Sequence, residues 1–473
     1  MTGTGEHGTD YDLIVVGAGP VGENVADYAA RRGVRVAIVE SELVGGECSY
    51  WACMPSKALL RSGHAVRAAR RLAGAREALG GPVDAAAVLA RRSSFASHWK
   101  DDGQVDWLAS AGIDLIRGRG RVSGPGKVRV GDRVHTARAV ALATGSVPVL
   151  PPIPGLAAAK PWGTREATST DRVPPRLVII GGGVAGTELA FAFSSLGSRV
   201  TLLSNAGLLP REEPFAGEHV AASLAGEGVD VRLGVTPVRV DRDADGIASV
   251  VLDDGTAFAA EELLVSTGRR PNTGDLGLEA VGLDPAAGVA VDDTMLVDGT
   301  DWLYAVGDVN GRALLTHQGK YQARAAGEAI AARLRATPLA DGPWGAHAAT
   351  ADHLAVPRVV FSDPEVAAVG LSEADARDRG LDVRAVEYDL GSVAGAVLHA
   401  DGYTGRAKIV VDEGRGVLVG ATFVGQDVAE LVHAATVAIV GEVAVDRLWH
   451  AVPAYPTTSE VWLRLLEEYG RPA

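Results

Sequence analysis

The feature that most constrains this chain is a pattern that it carries twice. Tyr11–Val16 is a short apolar run with β-branched residues, and Gly17-Ala-Gly19-Pro-Val-Gly22 follows at once. Residues 23–32 read as a helix with Val25, Ala26 and Ala29 on its apolar side and Gly33 as its stop. A second apolar run, 34–39, ends at Glu40. Runs that are apolar throughout, rather than alternating, predict strands buried on both faces of a parallel sheet. The pattern returns as Arg176–Ile180, Gly181-Gly-Gly183-Val-Ala-Gly186, a helix over 187–196 stopped by Gly197, and a strand over 199–203. Gly17 to Glu40 and Gly181 to Ser204 are both 23 residues (40 − 17 and 204 − 181). Ser204 therefore takes the place of Glu40.

In such a turn the first glycine permits the tight bend, the second lets a pyrophosphate approach the backbone, and the third lets helix and strand pack closely. The helix start adds free N–H groups and the positive end of a dipole. Strand, glycine turn, helix, strand and terminal acid together predict a dinucleotide site, with Gly17, Gly19, Gly22 and Glu40 in the first unit. Gly181, Gly183 and Gly186 form the second. An acid at the strand end holds a ribose hydroxyl and repels a 2′-phosphate. Ser204 and Asn205 stand there instead, with Arg211 a few residues on, which leans the second site slightly towards NADPH.

Proline-rich stretches at 148–154 and 171–176 punctuate the chain. Strand-like segments at 139–144 and 262–267 each end in Thr-Gly, at Thr144-Gly145 and Thr267-Gly268, as if the same structural event closed each unit. Beyond 341–347 the glycine turns stop. Strands at 358–361, 407–411 and 416–424 and helices at 429–441 and 458–469 predict an α+β domain. The expected fold class is thus α/β, with two Rossmann-like dinucleotide-binding domains and a C-terminal α+β domain.

Composition narrows the function. The 473 residues carry a formal net charge of −14, from 45 basic and 59 acidic side chains. That surplus disfavours nucleic acid and anionic membrane surfaces as partners. No apolar run reaches the roughly 18 residues of a spanning helix. The start of the chain is polar and acidic rather than leader-like, so a cytoplasmic location is expected. There are two cysteines, Cys48 and Cys53. They are too few for a disulfide scaffold or a structural zinc site, and no metal is expected. A close pair of thiols suggests redox work, against the alternative of two small buried hydrophobes.

The pair lies in Gly45-Gly-Glu-Cys48-Ser-Tyr-Trp-Ala-Cys53-Met-Pro55-Ser-Lys57, a few residues past Glu40. Residues 58–61 look helical, and a cysteine near a helix start has its thiolate stabilised. Five residues leave slack for two Cα atoms to reach disulfide distance, and Lys57 adds positive charge.

The Gly-Gly-x-Cys-x4-Cys-x-Pro-x-Lys run, with both glycine turns, resembles the flavoprotein disulfide reductases. That family includes dihydrolipoamide dehydrogenase, glutathione reductase and mercuric reductase, and the resemblance spans nearly the whole chain. It implies FAD in the first unit and NAD(P)H in the second. Cys48 would exchange with substrate, Cys53 would contact the flavin, and Lys57 would sit near the ring, paired with Glu188. Tyr304-Ala-Val-Gly307-Asp308 matches the family's second FAD motif, so Gly307 and Asp308 join the cofactor set with Gly46, Thr144, Gly145 and Gly268. The implied division is 1–155 and 272–345 for FAD, 156–271 for NAD(P)H, and 346–473 for a homodimer interface. Hydride would pass from nicotinamide through flavin to the dithiol, and then to a small disulfide acceptor in a dihydrolipoamide-dehydrogenase-like reaction.

One departure stands out. The family usually ends in His-Pro-Thr-x-Ser-Glu, the histidine serving as acid–base for the other subunit's thiols and the glutamate orienting it. This chain has Ala454-Tyr455-Pro-Thr-Thr-Ser-Glu460. A tyrosine hydroxyl, with an ordinary pKa near 10, is a poor base at neutral pH. His450, five residues upstream, is the candidate substitute. Mercuric reductases share the tyrosine but use a further C-terminal cysteine pair, and no cysteine follows Cys53 here. Tyr50 and Trp51, between the cysteines, either narrow the substrate side or pack. His317 reads as structural or flavin-adjacent. The missing histidine motivates one alternative function, a flavin-only quinone or dye reductase or a transhydrogenase-like activity; a further alternative is a non-catalytic redox-sensing subunit, the acidic dimer serving as a docking component.

Overall fold

A computed structural model describes residues 9–286 and 288–471. The polar start of the chain, apart from Thr9 and Asp10, lies outside the described residues. Two compact units result. Unit 1 holds the chain up to Met54, Ser93–Pro148 and Arg269–Asp352; unit 2 holds Pro55–Arg92, Val149–Gly268 and the chain from His353. The stretch Pro55–Arg92 thus joins unit 2, although it lies in sequence between two parts of unit 1.

Unit 1 is built on parallel strands in the order Asp114–Arg117, Val36–Glu40, Tyr11–Val16, Arg133–Leu142 and Leu303–Ala305. Leu13, Ile14 and Val15 are fully buried, as an all-apolar central strand requires. Arg133–Leu142 is longer than the expected 139–144 because it serves two partners. Its first half pairs antiparallel with Lys127–Val130, which pairs with Gly120–Gly124, and its second half runs parallel to Tyr11–Val16. The first glycine-turn helix is Pro20–Ala30. It begins three residues before the expected start because Pro20, with no N–H to leave unpaired, is pre-organised for the first helical position. Helix Thr316–Leu334 packs along it at close range: a Cβ on Gly319 would come within 2.6 Å of Val21 Cγ2, and one on Gly327 within 2.7 Å of Tyr28 Cβ.

Unit 2 repeats the parallel motif with strands in the order Asp230–Leu233, Arg199–Ser204, Arg176–Ile180 and Glu262–Val265. Its glycine-turn helix, Val184–Ser195, buries the consecutive residues Leu189, Ala190, Phe191, Ala192 and Phe193. That all-round burial marks an internal helix. An antiparallel meander, Pro237–Arg242, Ala248–Leu252 and Ala257–Ala260, follows. The C-terminal region forms a five-stranded antiparallel sheet in the order Pro357–Val360, Glu365–Gly370, Val417–Gly425, Arg406–Asp412 and Val383–Asp389. The helices expected over 429–441 and 458–469 open as 3-10 turns, Val428–Leu431 and Thr458–Glu460, before Val432–Val440 and Val461–Tyr469. Glu365–Gly370, Val383–Asp389 and the short helix Ala394–His399 are additional to the expected elements.

Candidate dinucleotide and dithiol sites

The six fingerprint glycines divide by what surrounds them. A Cβ on Gly22 would lie 1.9 Å from Gly17 O, and one on Gly17 would lie 2.5 Å from Ala143 O. Gly186 and Gly181 repeat this, at 2.0 Å from Gly181 O and 2.5 Å from Ser266 O. These four are glycine because backbone passes against backbone. The middle glycines differ. Gly19 and Gly183 cap helices Pro20–Ala30 and Val184–Ser195, and a Cβ on either would meet no atom within 4 Å. The space over each helix start is left clear for an anion, which the free N–H groups and the dipole favour. Both cradles fit a pyrophosphate.

The strand ends then diverge. Glu40 Oε2 accepts the Ala18 N–H at 2.8 Å, and Oε1 accepts the Glu42 N–H at 2.8 Å. That holds a carboxylate beside the first glycine turn. In the second unit Ser204 is buried, its Oγ 3.4 Å from Gly207 O and accepting from Ala206 N–H at 3.4 Å. Asn205 and Arg211 are exposed.

The two Thr-Gly segments that follow the strands end in glycines of left-handed φ, +73° at Gly145 and +124° at Gly268. Thr144 Oγ1 donates to Asn272 O, and Thr267 Oγ1 to Val149 O, each at 3.0 Å. Asp308, just past Gly307, is largely buried. Ser146 Oγ donates to it at 2.5 Å, and Arg269 Nε donates to Ser146 Oγ at 2.8 Å. Burial pushes the Asp308 carboxyl up, while Ser146 and the Arg269 charge pull it down. Gly307 N–H donates to Gln322 Oε1 at 2.8 Å.

The cysteine segment rests on the first glycine turn. Gly46 has φ +56°, and a Cβ there would lie 2.8 Å from Gly19 Cα, so the Gly-Gly pair is what permits the approach. Cys48 lies in the single turn Gly46–Tyr50, and Cys53 itself opens the long helix Cys53–Arg70, earlier than the expected start. The helix dipole therefore acts first on Cys53. Neither thiol is in a disulfide. A hydrogen bond with Cys53, and then burial, push the Cys48 thiol up. Cys53 Sγ lies 3.4 Å from Thr316 Oγ1. Tyr50 is buried and anchors the segment inward, its hydroxyl donating to Gln104 Oε1 at 2.6 Å and lying 2.9 Å from Val44 O. Burial pushes the Tyr50 hydroxyl up to about 12. Of the two readings for Tyr50, packing is the one its burial supports.

In unit 2, Lys57 Nζ donates to Glu188 Oε2 at 2.7 Å and lies over the Phe361 ring at 4.9 Å. The other Glu188 oxygen accepts the Phe361 N–H at 3.0 Å. Glu188 is buried, so both its oxygens are satisfied. Tyr455 is 77% exposed, and His450 is exposed too; Glu460 is buried with Oε2 lacking a hydrogen-bond partner. His317 is exposed in the first turn of Thr316–Leu334. Residues that the sequence did not single out complete the picture. Thr316, Ser146, Arg269 and Gln322 are polar side chains without a local motif, placed only by the fold. Among the described residues no cluster of metal-binding side chains occurs.

Residues 11–329 match the family of pyridine nucleotide-disulphide oxidoreductases, and residues 356–465 match the dimerisation domain of the same family. A glutathione reductase of Burkholderia cepacia is 33% identical over 96% of this chain and 98% of its own. A mercuric reductase of Acidithiobacillus ferrooxidans is 33% identical over 96% of this chain and 81% of its own. A dihydrolipoyl dehydrogenase of Bacillus subtilis is 29% identical over 98% of this chain and 97% of its own. Among solved structures, a Cu(II) complex of the HOCl-induced flavoprotein disulfide reductase RclA from Escherichia coli superposes with a TM-score of 0.82 at 25% identity, covering 97% of this chain and 99% of that one.

Proposed function

The chain belongs to the pyridine nucleotide-disulphide oxidoreductases, and from that premise we propose that it oxidises NADPH and passes the electrons through a Cys48–Cys53 couple to a small disulfide. The family works with FAD and NAD(P)H. FAD, when bound, supplies the two-electron chemistry linking a dihydronicotinamide to the thiols. Gly17, Gly19, Gly22 and Glu40 hold its pyrophosphate and ribose end, and Asp308, steadied by Ser146 and Arg269, holds its polyol chain. Gly181, Gly183 and Gly186 seat the nicotinamide dinucleotide. Ser204 and Asn205 place no acid against a 2′-phosphate, and the exposed Arg211 is the candidate to pair with it.

The observation that carries the reading is the thiol pair itself: Cys48 hydrogen-bonded to Cys53, with Cys53 at a helix start and 3.4 Å from the Thr316 hydroxyl. Such a pair is built for exchange, Cys48 attacking the acceptor and Cys53 resolving the mixed disulfide. The active form is a homodimer through the C-terminal domain. Exposed Val397, Leu398, Val437 and Val452 supply the apolar surface for it. No helix among the described residues is long and apolar enough to cross a membrane.

Anaerobic titration with NADPH tests the claim. The wild type takes up two electrons beyond those its flavin holds, and Cys48→Ser or Cys53→Ser takes up none beyond. Equal uptake by wild type and variants overturns it. Exposed Tyr455 in the place of the family histidine favours one second reading, a quinone or dye reductase that does not use the thiols. Quinone turnover surviving Cys48→Ser at the wild-type rate supports that reading.

A further inference from the structure

Three elements of unit 1 converge beneath the thiols. The cysteine segment rests on the start of helix Pro20–Ala30 through Gly46 and Gly19. Helix Thr316–Leu334 packs on the same helix through Gly319 and Val21. Thr316 touches Cys53, and Lys320, four residues on, shares its face of the helix. Lys320 is half-buried, and among the described residues it has no ion pair or hydrogen bond. Glu23, on helix Pro20–Ala30 two residues past Val21, lies within reach of the Lys320 charge, and its Oε1 is buried and unpartnered.

We infer that Lys320 and Glu23 form an intrasubunit proton relay for the Cys48–Cys53 pair, in the role that a histidine would otherwise fill where this chain has Tyr455. The inference rests on the dithiol reading above. In turnover a dihydronicotinamide gives up a hydride and leaves as the nicotinamide cation; in the test a phosphine and water leave as the phosphine oxide. Either supplies the electron pair that breaks the Cys48–Cys53 bond, and the hydride's proton, or the two from water, pass to solvent, leaving two sulfur anions. Cys48 takes a proton from the Lys320 ammonium, and the Glu23 carboxylic acid restores it. The result is one thiol, one thiolate on Cys53 beside the Thr316 hydroxyl, and a Glu23 carboxylate facing the Lys320 ammonium. When Cys48 attacks an acceptor, the proton returns by the same route.

The electrostatics agree. The Lys320 charge lowers both the Cys48 thiol and the Glu23 carboxyl. Burial nonetheless pushes Glu23 up to about 7, with Glu40 on strand Val36–Glu40 adding to the rise. The other titratable groups facing the pair are Tyr50, which feels Glu23, and Cys53. A carboxyl poised near neutrality suits a proton store.

The test uses the purified flavoprotein. Its Cys48 alkylation rate with iodoacetamide is followed by site-resolved mass spectrometry from about pH 5.5 to about 9.5, after phosphine reduction. The wild-type profile should rise in two steps. Glu23→Gln should remove the lower step. Lys320→Gln should slow alkylation at neutral pH about tenfold, one pKa unit, and Lys320→Arg should restore most of it. Profiles of Glu23→Gln and Lys320→Gln that superpose on wild type overturn the relay. Before reduction, mass spectrometry should find the wild-type peptide lighter by the two thiol hydrogens. Its failure to oxidise overturns the dithiol reading instead, so the two failures are told apart.

Discussion

The two glycine-turn units share backbone contacts almost to the tenth of an ångström: 1.9 Å at Gly22 against 2.0 Å at Gly186 for an added Cβ. Their side chains part company within one residue of that contact. After Gly22 come Glu23, with a buried unpartnered oxygen, and Asn24, whose amide donates to Pro20 O. After Gly186 come Thr187, which caps inward towards Gly182 O, and Glu188, both of whose oxygens are satisfied. Each helix carries an acid near its start, one position apart, half-buried at Glu23 and buried at Glu188. One meets a lysine and an amide, while burial raises the carboxyl of the other to about 7. The backbone cradle is common property of the fold, while the acid one step beyond it is where each unit becomes specific.

The sharpest way to break the equivalence is to close each turn in the same manner. Gly22→Ala and Gly186→Ala both push a methyl into a carbonyl oxygen, at a cost of about 3 kcal/mol, the upper end for overpacking. Gly22→Ala should purify without flavin colour. Gly186→Ala should stay yellow and lose about 100-fold in nicotinamide affinity, measured by titration calorimetry. If both lose flavin, the assignment of one cofactor to each unit is wrong.

A smaller effect separates the strand ends. Glu40→Gln weakens the charge-assisted bond to the Ala18 N–H, and FAD affinity should fall about tenfold, or about 1.4 kcal/mol. Arg211→Ala should raise the KM for NADPH about tenfold and leave that for NADH unchanged. Equal effects on both nicotinamides would remove Arg211 from 2′-phosphate recognition.

The smallest effect reads the buried acid directly. Glu23 is raised to about 7 when folded, above its ordinary 4.5. The folded state therefore binds more protons than the unfolded between these values, and stability falls as pH rises. From pH 6 to 8 the loss attributable to Glu23 is about 1 kcal/mol. Glu23→Gln should flatten that part of the curve of melting temperature against pH, and an unchanged slope would place the ionisation elsewhere.

Much of this was legible from local pattern. Arg176–Ile180 and Tyr11–Val16 lie where their apolar runs place them, and Val25, Ala26 and Ala29 are buried as their spacing requires. Strand Arg133–Leu142 was legible only in its second half, because its first half pairs with a meander whose short strands carry little apolar signal. The partition of Pro55–Arg92 into unit 2 was not legible, since Arg67 meets Asp363 at 2.9 Å across 296 residues of chain.

What the sequence alone determined is therefore the parts: two strand–turn–helix–strand units, their glycines, and a cysteine pair set against the first of them. Each is written in neighbouring residues, as unbroken apolar runs, glycine turns and the 3.6-residue period of the helices. Only the tertiary structure decided which side chains those parts share. Thr316 meets Cys53 from 263 residues away, and the Lys320 charge reaches Glu23 because helices Pro20–Ala30 and Thr316–Leu334 pack closely at Gly319 and Gly327. No local period encodes a meeting at that separation; it follows from how the helices close over the sheet.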